Sequence, residues 1–206
     1  MYYGLSFPKI FSEDDNICHS LVTIYKDFNI SFLIKNNRPK LNGIFIYVDN
    51  KYIYGLNKRF LHSVSIEDKK YFNSDPCIND LSNVICKTKC KADSDSNIHC
   101  ISIDDRSVCY YRLARVHWIT EVINLANENN SNIKIWSKTF KDKTTGQMTT
   151  NRRFVWYKNG LASYVIIFEE KYKNGNIHML RFLTAYPVFG RRAERDFIND
   201  YNYYIK

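Results

Sequence analysis

The chain has 206 residues, of which 45% are hydrophobic and 16% aromatic, and a formal net charge of +9. That is enough apolar material for one large domain or two small ones, and too much for a disordered chain. No apolar run reaches the roughly 18 residues of a membrane span, and the start, MYYGLSFPKIFSEDD, lacks a signal peptide's basic-then-apolar order. A soluble, cytoplasmic chain with no membrane partner is expected.

In chain order, the first half holds short apolar runs, SLVTIYKDFNISFLI (20–34) and NGIFIYVDNKYIYGLN (42–57). Two strand-like stretches of the second run flank Asp49-Asn50, a candidate hairpin turn. SIEDKKYF opens with a serine followed by acids, which places a helix start at Ser65. From Asn73 to Asp105 the chain is polar and cysteine-bearing and reads as a long loop or linker. SVCYYRLARVHWITEVINLANENN (107–130) has helical periodicity and stops in an Asn-rich turn. Four strand candidates follow at 132–138, 152–158, 163–172 and 177–188, with KNGN between the last two as the clearest hairpin signal. RRAERDFINDYNYY closes the chain as a helix. The expectation is an α+β fold in which a C-terminal helix packs on a four-stranded antiparallel sheet. A mixed α/β N-terminal region of unassigned fold and role (1–105) precedes that basic domain (106–206).

Charge divides at the same place. Residues 1–105 carry 13 Lys/Arg against 13 Asp/Glu, while residues 106–206 carry 17 against 8, so the whole +9 excess lies in the second half. A basic half beside a neutral one points to a polyanion partner, most often nucleic acid; a merely basic surface is the plainer alternative. Of the six cysteines, five lie between 77 and 109. Cys86, Cys90, His99 and Cys100 have the donors for tetrahedral zinc, but their spacing departs from the common zinc motifs. Reduced structural thiols are the expectation without a secretion signal.

On a helical wheel of residues 110–126, Ala114, Val116, Trp118, Ile119, Val122, Ile123, Leu125 and Ala126 form one apolar arc. Arg115 and Arg112 fall inside it, and His117, Glu121 and Asn124 lie opposite. A buried arginine needs an anion or hydrogen-bond partners. Two readings stay open: Arg115 as a partner within the core, or as a cation projected into a phosphate-holding cleft. Strand parity puts His178, Thr184 and Tyr186 on one face of the last strand, and Arg181 on the other, unless a bulge intervenes. No carboxylate cluster in this half resembles a Mg²⁺ nuclease site, so no cofactor and no metal are expected.

Taken together, RLARVHWITEVI, IKIWSK, RRFVWYK, SYVIIFEEKY and LRFLTAYPV resemble the superfamily of barnase, EndoU, colicin and RelE nucleases (BECR), in particular its phage-associated branch (PBECR). The TAYP ending is similar to the closing motif of EndoU ribonucleases. The resemblance spans about residues 107–190. It implies a helix-on-sheet, metal-independent endoribonuclease acting as a toxin, phage-associated or defence effector. It implies a site built from Arg112, Arg115 or His117 on the helix, Arg152 or Arg153 on the sheet, and Thr184 on the last strand. Tyr186 would stack on or orient base or sugar. Lys138, Arg152, His178, Arg181, Arg191 and Arg192 are the further candidates to hold RNA, tRNA included. A cognate antitoxin or immunity protein is the kind of second partner it suggests. EndoU enzymes use two histidines and a lysine, and no matching histidine pair occurs here. Uridine specificity and paired-histidine catalysis are therefore not carried over. The alternatives are a binding module on the same fold without catalysis, and a phage-assembly accessory protein whose basic face packs nucleic acid or meets a partner.

Overall fold

The computed structural model describes residues 1–12, 14–68, 105–141, 146 and 148–205. A mixed six-stranded sheet runs in the order β1 (Lys40–Leu41), β2 (Ile44–Tyr47), β10 (Asn176–Pro187), β9 (Ala162–Lys173), β8 (Met148–Asn159), β7 (Ile133–Lys141). All neighbours are antiparallel except β2 and β10, which pair in parallel over Met179–Arg181. Two small ladders flank it, β3 (Tyr52–Ile53) with β4 (Leu56–Asn57), and β5 (Ser65–Glu67) with β6 (Arg106–Val108).

The sheet is apolar on both faces, so it needs a cover on each. One face packs Val155, Tyr157, Tyr164, Ile166, Phe168, Leu180 and Phe182 with the apolar sides of α1 (Ile17–Phe28) and α4 (Trp118–Asn127). The other packs Trp136, Phe154, Trp156, Val165 and Ile167 beneath α5 (Arg191–Tyr204), through Ala193, Phe197 and Tyr201. Between these come α2 (Lys58–Val64) and the single turn α3 (Tyr110–Leu113). The N-terminal segment straps the first layer. Tyr157 Oη and Asn159 Nδ2 donate to the Tyr3 carbonyl, and Trp118 Nε1 donates to that of Ser6.

The expected class, α+β with a C-terminal helix, holds, but the sheet has six strands rather than four and is mixed rather than antiparallel. The reason is length. β1 and β2 have 2 and 4 residues, and β2 gains its place only by pairing with a strand more than 130 residues away. The turn at Asp49-Asn50 does not join two paired strands. The tight turns fall at Asn42-Gly43 and Tyr54-Gly55, both pairs with positive φ, as at Asn174-Gly175 within KNGN. Ser65 ends α2 and begins β5 rather than starting a helix, because its strand finds β6. The helix expected across 107–130 is broken into α3 and α4 by i→i−3 bonds from Arg115 to Ile119, a tighter winding that a 100° wheel does not describe. Cys18 on α1 is disulfide-bonded rather than a reduced thiol, and Cys109 is a buried thiol outside any disulfide. The candidate zinc residues Cys86, Cys90, His99 and Cys100 lie outside the described residues, as does nearly all of the expected linker.

Residues on both sides of position 105 contribute to one hydrophobic cluster, from Leu21, Phe28, Phe60 and Leu61 through to Ile166, Leu180 and Phe182. Phe28 and Phe32 both lie ring to ring with Phe182, at 6.2 and 5.9 Å. A fragment starting at Asp105 would therefore uncover a continuous apolar sheet face. It is expected to be insoluble or to lack a cooperative melt, whereas the full chain melts sharply; a soluble fragment with its own sharp transition would show that the second half stands alone.

Candidate functional site

β10 is longer than its partner β2, which pairs only with Met179–Arg181. Beyond that point α2 occupies the strand's edge. The Ala185 amide donates to Ser63 Oγ (3.2 Å), Ser63 Oγ donates to the Arg59 carbonyl (2.9 Å), and Arg59 Nη1 donates to the Leu183 carbonyl (3.5 Å). Asn57 starts the helix by accepting from the Arg59 amide, and Asp49 holds the Arg59 guanidinium at 2.8 Å. A one-turn-and-more helix thus satisfies the edge that β2 leaves open.

This docking brings together residues 122 positions apart: His62 Nδ1 lies 2.9 Å from Thr184 Oγ1. Thr184 is buried, at 8% exposure, and sits just after a bulge at Leu183 in the β10–β9 ladder. The bulge matters because it resets the alternation. Leu180, Phe182 and Ala185 belong to the α1/α4 face, and Tyr186 packs with the cluster on the α5 face. His178, at a second bulge, is exposed and does not join Thr184 and Tyr186.

Cations crowd the pair. Arg106 donates Nη2 to the Ser65 carbonyl (2.7 Å) and Nε to Ser65 Oγ (3.0 Å). Arg112 donates Nη1 to the same carbonyl (2.8 Å), and its guanidinium lies 5.1 Å from the centre of the Tyr186 ring. The Arg112 Nε is enclosed without a hydrogen-bond partner. Burial, then the positive charge of Arg106, Arg112, Arg59 and Lys58, pushes the His62 imidazole down to about 4. His62 is therefore neutral at pH 7, with Nδ1 beside the Thr184 hydroxyl, a group able to donate or accept. Burial lowers Arg112 and raises Tyr186, whose hydroxyl stays protonated; the Arg112 charge opposes the Tyr186 shift without reversing it. The result is a hydroxyl–imidazole pair in positive, partly desolvated surroundings, which suit an anion such as a phosphodiester.

Of the residues singled out from sequence, Arg112, Thr184 and Tyr186 meet here. Arg115 does not. It is buried, donates Nη1 to the Tyr111 carbonyl (3.0 Å) and stacks 3.5 Å from the Tyr111 ring centre, so its partners are a carbonyl and an aromatic face. His117 belongs to another group of contacts, with Ser6 Oγ at 2.9 Å and Glu121, where it fastens the N-terminal segment to α4. Arg153 is bound to the buried Glu170 at 2.9 Å, and Lys138 to Asp200 on α5 at 2.8 Å. Arg181 pairs with Glu169, and Arg152 lies over the Phe140 ring. Arg191 and Arg192 are exposed on the first turn of α5. His62, Ser63, Arg59 and Arg106 were not singled out. RFLHSVS carries a histidine and a serine on successive residues of a short helix, and nothing in that local pattern shows which strand it will meet. Comparison of the chain with protein-family models, with curated proteins and with solved structures finds no match.

The His62 environment sets a sign for stability. The unfolded imidazole takes up a proton near 6.5 and the folded one only near 4, so stability is full above pH 6.5 and falls as pH drops from 6.5 towards 4. The loss attributable to this group is at most about 3 kcal/mol. Urea unfolding of the parent and of His62→Asn between pH 4 and 7 is the check. The parent is expected to weaken more steeply on acidification, and parallel profiles would show that His62 does not titrate as its surroundings require.

Proposed function

We propose that this chain is a metal-independent endoribonuclease that cleaves RNA through its own 2′-hydroxyl, leaving a 2′,3′-cyclic phosphate. The observation that carries the reading is the His62–Thr184 contact, 2.9 Å long and ringed by Arg106, Arg112, Arg59 and Lys58. Such cleavage needs a proton acceptor at the 2′-oxygen, a proton donor at the departing 5′-oxygen, and positive charge around the phosphorane. Neutral His62, in the tautomer that donates Nδ1–H to Thr184 Oγ1, takes the 2′-proton on Nε2. As the 2′-oxygen bonds to phosphorus the bond from phosphorus to the 5′-oxygen breaks, and the Tyr186 hydroxyl supplies the proton that oxygen acquires. Arg112, lying across Tyr186, offsets the charge that builds on the phosphoryl oxygens. The charged groups are mostly cationic, and the carboxylates among them, Asp49 and Glu67, lie against Arg59 and Arg106, a set that repels a divalent ion rather than recruiting one. The net charge of +9 favours an RNA partner, tRNA among the candidates. The resemblance to phage-associated nucleases adds a toxin or defence setting with a cognate antitoxin or immunity protein.

The enclosure of Thr184, at 8% exposure, favours a second reading, a module of the same shape that binds RNA without cutting it.

Incubation of the full chain with total RNA in EDTA, with analysis of fragment ends, separates the two. Cyclic-phosphate ends in EDTA are expected; cleavage that stops in EDTA and returns with Mg²⁺ overturns the metal-free route, and RNA bound but intact supports the second reading. His62→Ala, Arg112→Ala and Thr184→Ala are each expected to lower the cleavage rate by about two orders of magnitude or more. His117→Ala and Arg153→Ala are expected to leave the chemical step within a few-fold of the parent. Arg115→Ala is expected to lower the melting temperature, since it removes a buried partner of Tyr111. Arg191→Ala is expected to weaken RNA binding across sequences and to reduce the salt dependence by about one phosphate contact.

A further inference from the structure

α1 does not stop at Phe28 but runs on into a π-helical turn, Asn29–Leu33, in which the Ile34 amide donates to the Asn29 carbonyl (3.2 Å). Such turns are rare and recur at functional sites. A cavity of about 250 Å³, partly open to solvent, is lined by this end of α1, the π-helical turn, residues between Val116 and Glu121, and Lys9 of the N-terminal segment. Its wall is Ile24, Phe28, Phe32 and Val116, all buried members of the larger hydrophobic cluster, so packing from behind holds that wall in place. The volume falls just below that of sites for drug-sized ligands and suits a smaller molecule with one short apolar body.

Polar capacity is left over beside the wall. Asp27 Oδ2 accepts from Lys9 Nζ at 2.8 Å. Among the described residues nothing donates to Asp27 Oδ1, and the Ser31 and Thr120 hydroxyls make no hydrogen bond, although all three residues line the cavity. Glu121 is already committed on both oxygens to Ser6. Charge then selects the head group. Two carboxylates and one ammonium line the cavity, and burial lowers His117, whose imidazole is neutral at pH 7. An anionic head would lie beside Asp27 and Glu121 and be repelled. An ammonium group brings three N–H donors to three acceptors that lack one: Asp27 Oδ1, Ser31 Oγ and Thr120 Oγ1.

We propose that this cavity is a binding site for a small organic ammonium ion, whose apolar body lies against Ile24, Phe28, Phe32 and Val116 and whose head donates to Asp27, Ser31 and Thr120. The site is independent of the ribonuclease reading, since it shares no residue with the surroundings of His62 and Thr184.

The test titrates the full chain with three probes that share a phenyl-alkyl body and differ in the head: phenethylammonium, 2-phenylethanol and 3-phenylpropionate. Binding is read from the methyl NMR signals of Ile24 and Val116. Phenethylammonium is expected to shift both signals saturably, 2-phenylethanol to bind about tenfold more weakly, and 3-phenylpropionate not to saturate. Asp27→Asn keeps the shape of an exposed side chain and removes its charge. It is expected to weaken phenethylammonium about fivefold and to leave 2-phenylethanol unchanged, which shows the cavity intact. Phenethylammonium that leaves the Ile24 and Val116 signals in place overturns the site. The alcohol or the carboxylate binding as tightly as the ammonium overturns the choice of head group, and so does Asp27→Asn binding phenethylammonium like the parent.

Discussion

β10 outruns β2, and the contacts around Thr184 depend on that mismatch. Twelve residues of β10 meet a parallel partner over only Met179, Leu180 and Arg181. A central strand with a bare edge must have its amides and carbonyls met by something. Ser63 does this for Ala185, and Arg59 for Leu183. A β2 longer by three residues would compete with α2 for the edge it covers, and the His62–Thr184 contact would be lost with it. The bulge at Leu183 acts in the same place, turning Thr184 and Tyr186 away from the face that Phe182 occupies.

Electrostatics follow from that docking. α2 brings Lys58, Arg59 and His62 to the strand end, while β6 and α3 bring Arg106 and Arg112 to the Ser65 carbonyl at the helix's close. Two guanidinium groups on one carbonyl oxygen repel each other, and burial raises the cost of keeping both charged. An incoming phosphodiester would relieve that repulsion and let His62 hold a proton more readily. Arg59 is held by Asp49 and Arg106 lies near Glu67, and elsewhere on the sheet Arg153 pairs with Glu170, Arg181 with Glu169 and Lys138 with Asp200.

The division of the chain by charge is real as composition and misleading as anatomy. All of the +9 excess lies after residue 105, but His62, Arg59 and the strand β2 come from before it. The cluster that contains Phe28, Phe32 and Phe60 also contains Phe168 and Phe182, so the neutral half supplies core and site together.

The amino-acid pattern by itself determined the long elements. The strands observed at Ile133–Lys141, Met148–Asn159, Ala162–Lys173 and Asn176–Pro187, and the helix Arg191–Tyr204, follow from apolar runs separated by turn formers such as Asn174-Gly175. It also marked Arg112, Thr184 and Tyr186, because an arginine within an apolar arc and a polar pair at a strand end are local anomalies. What only the tertiary structure decided is which of those anomalies meet. Arg115 satisfied the same local rule as Arg112, yet it turns to Tyr111 because the winding tightens between α3 and α4. His62 satisfied no rule at all. Its significance comes from a strand edge 122 residues away, and edge pairing depends on where another strand stops, which no window of sequence around His62 contains.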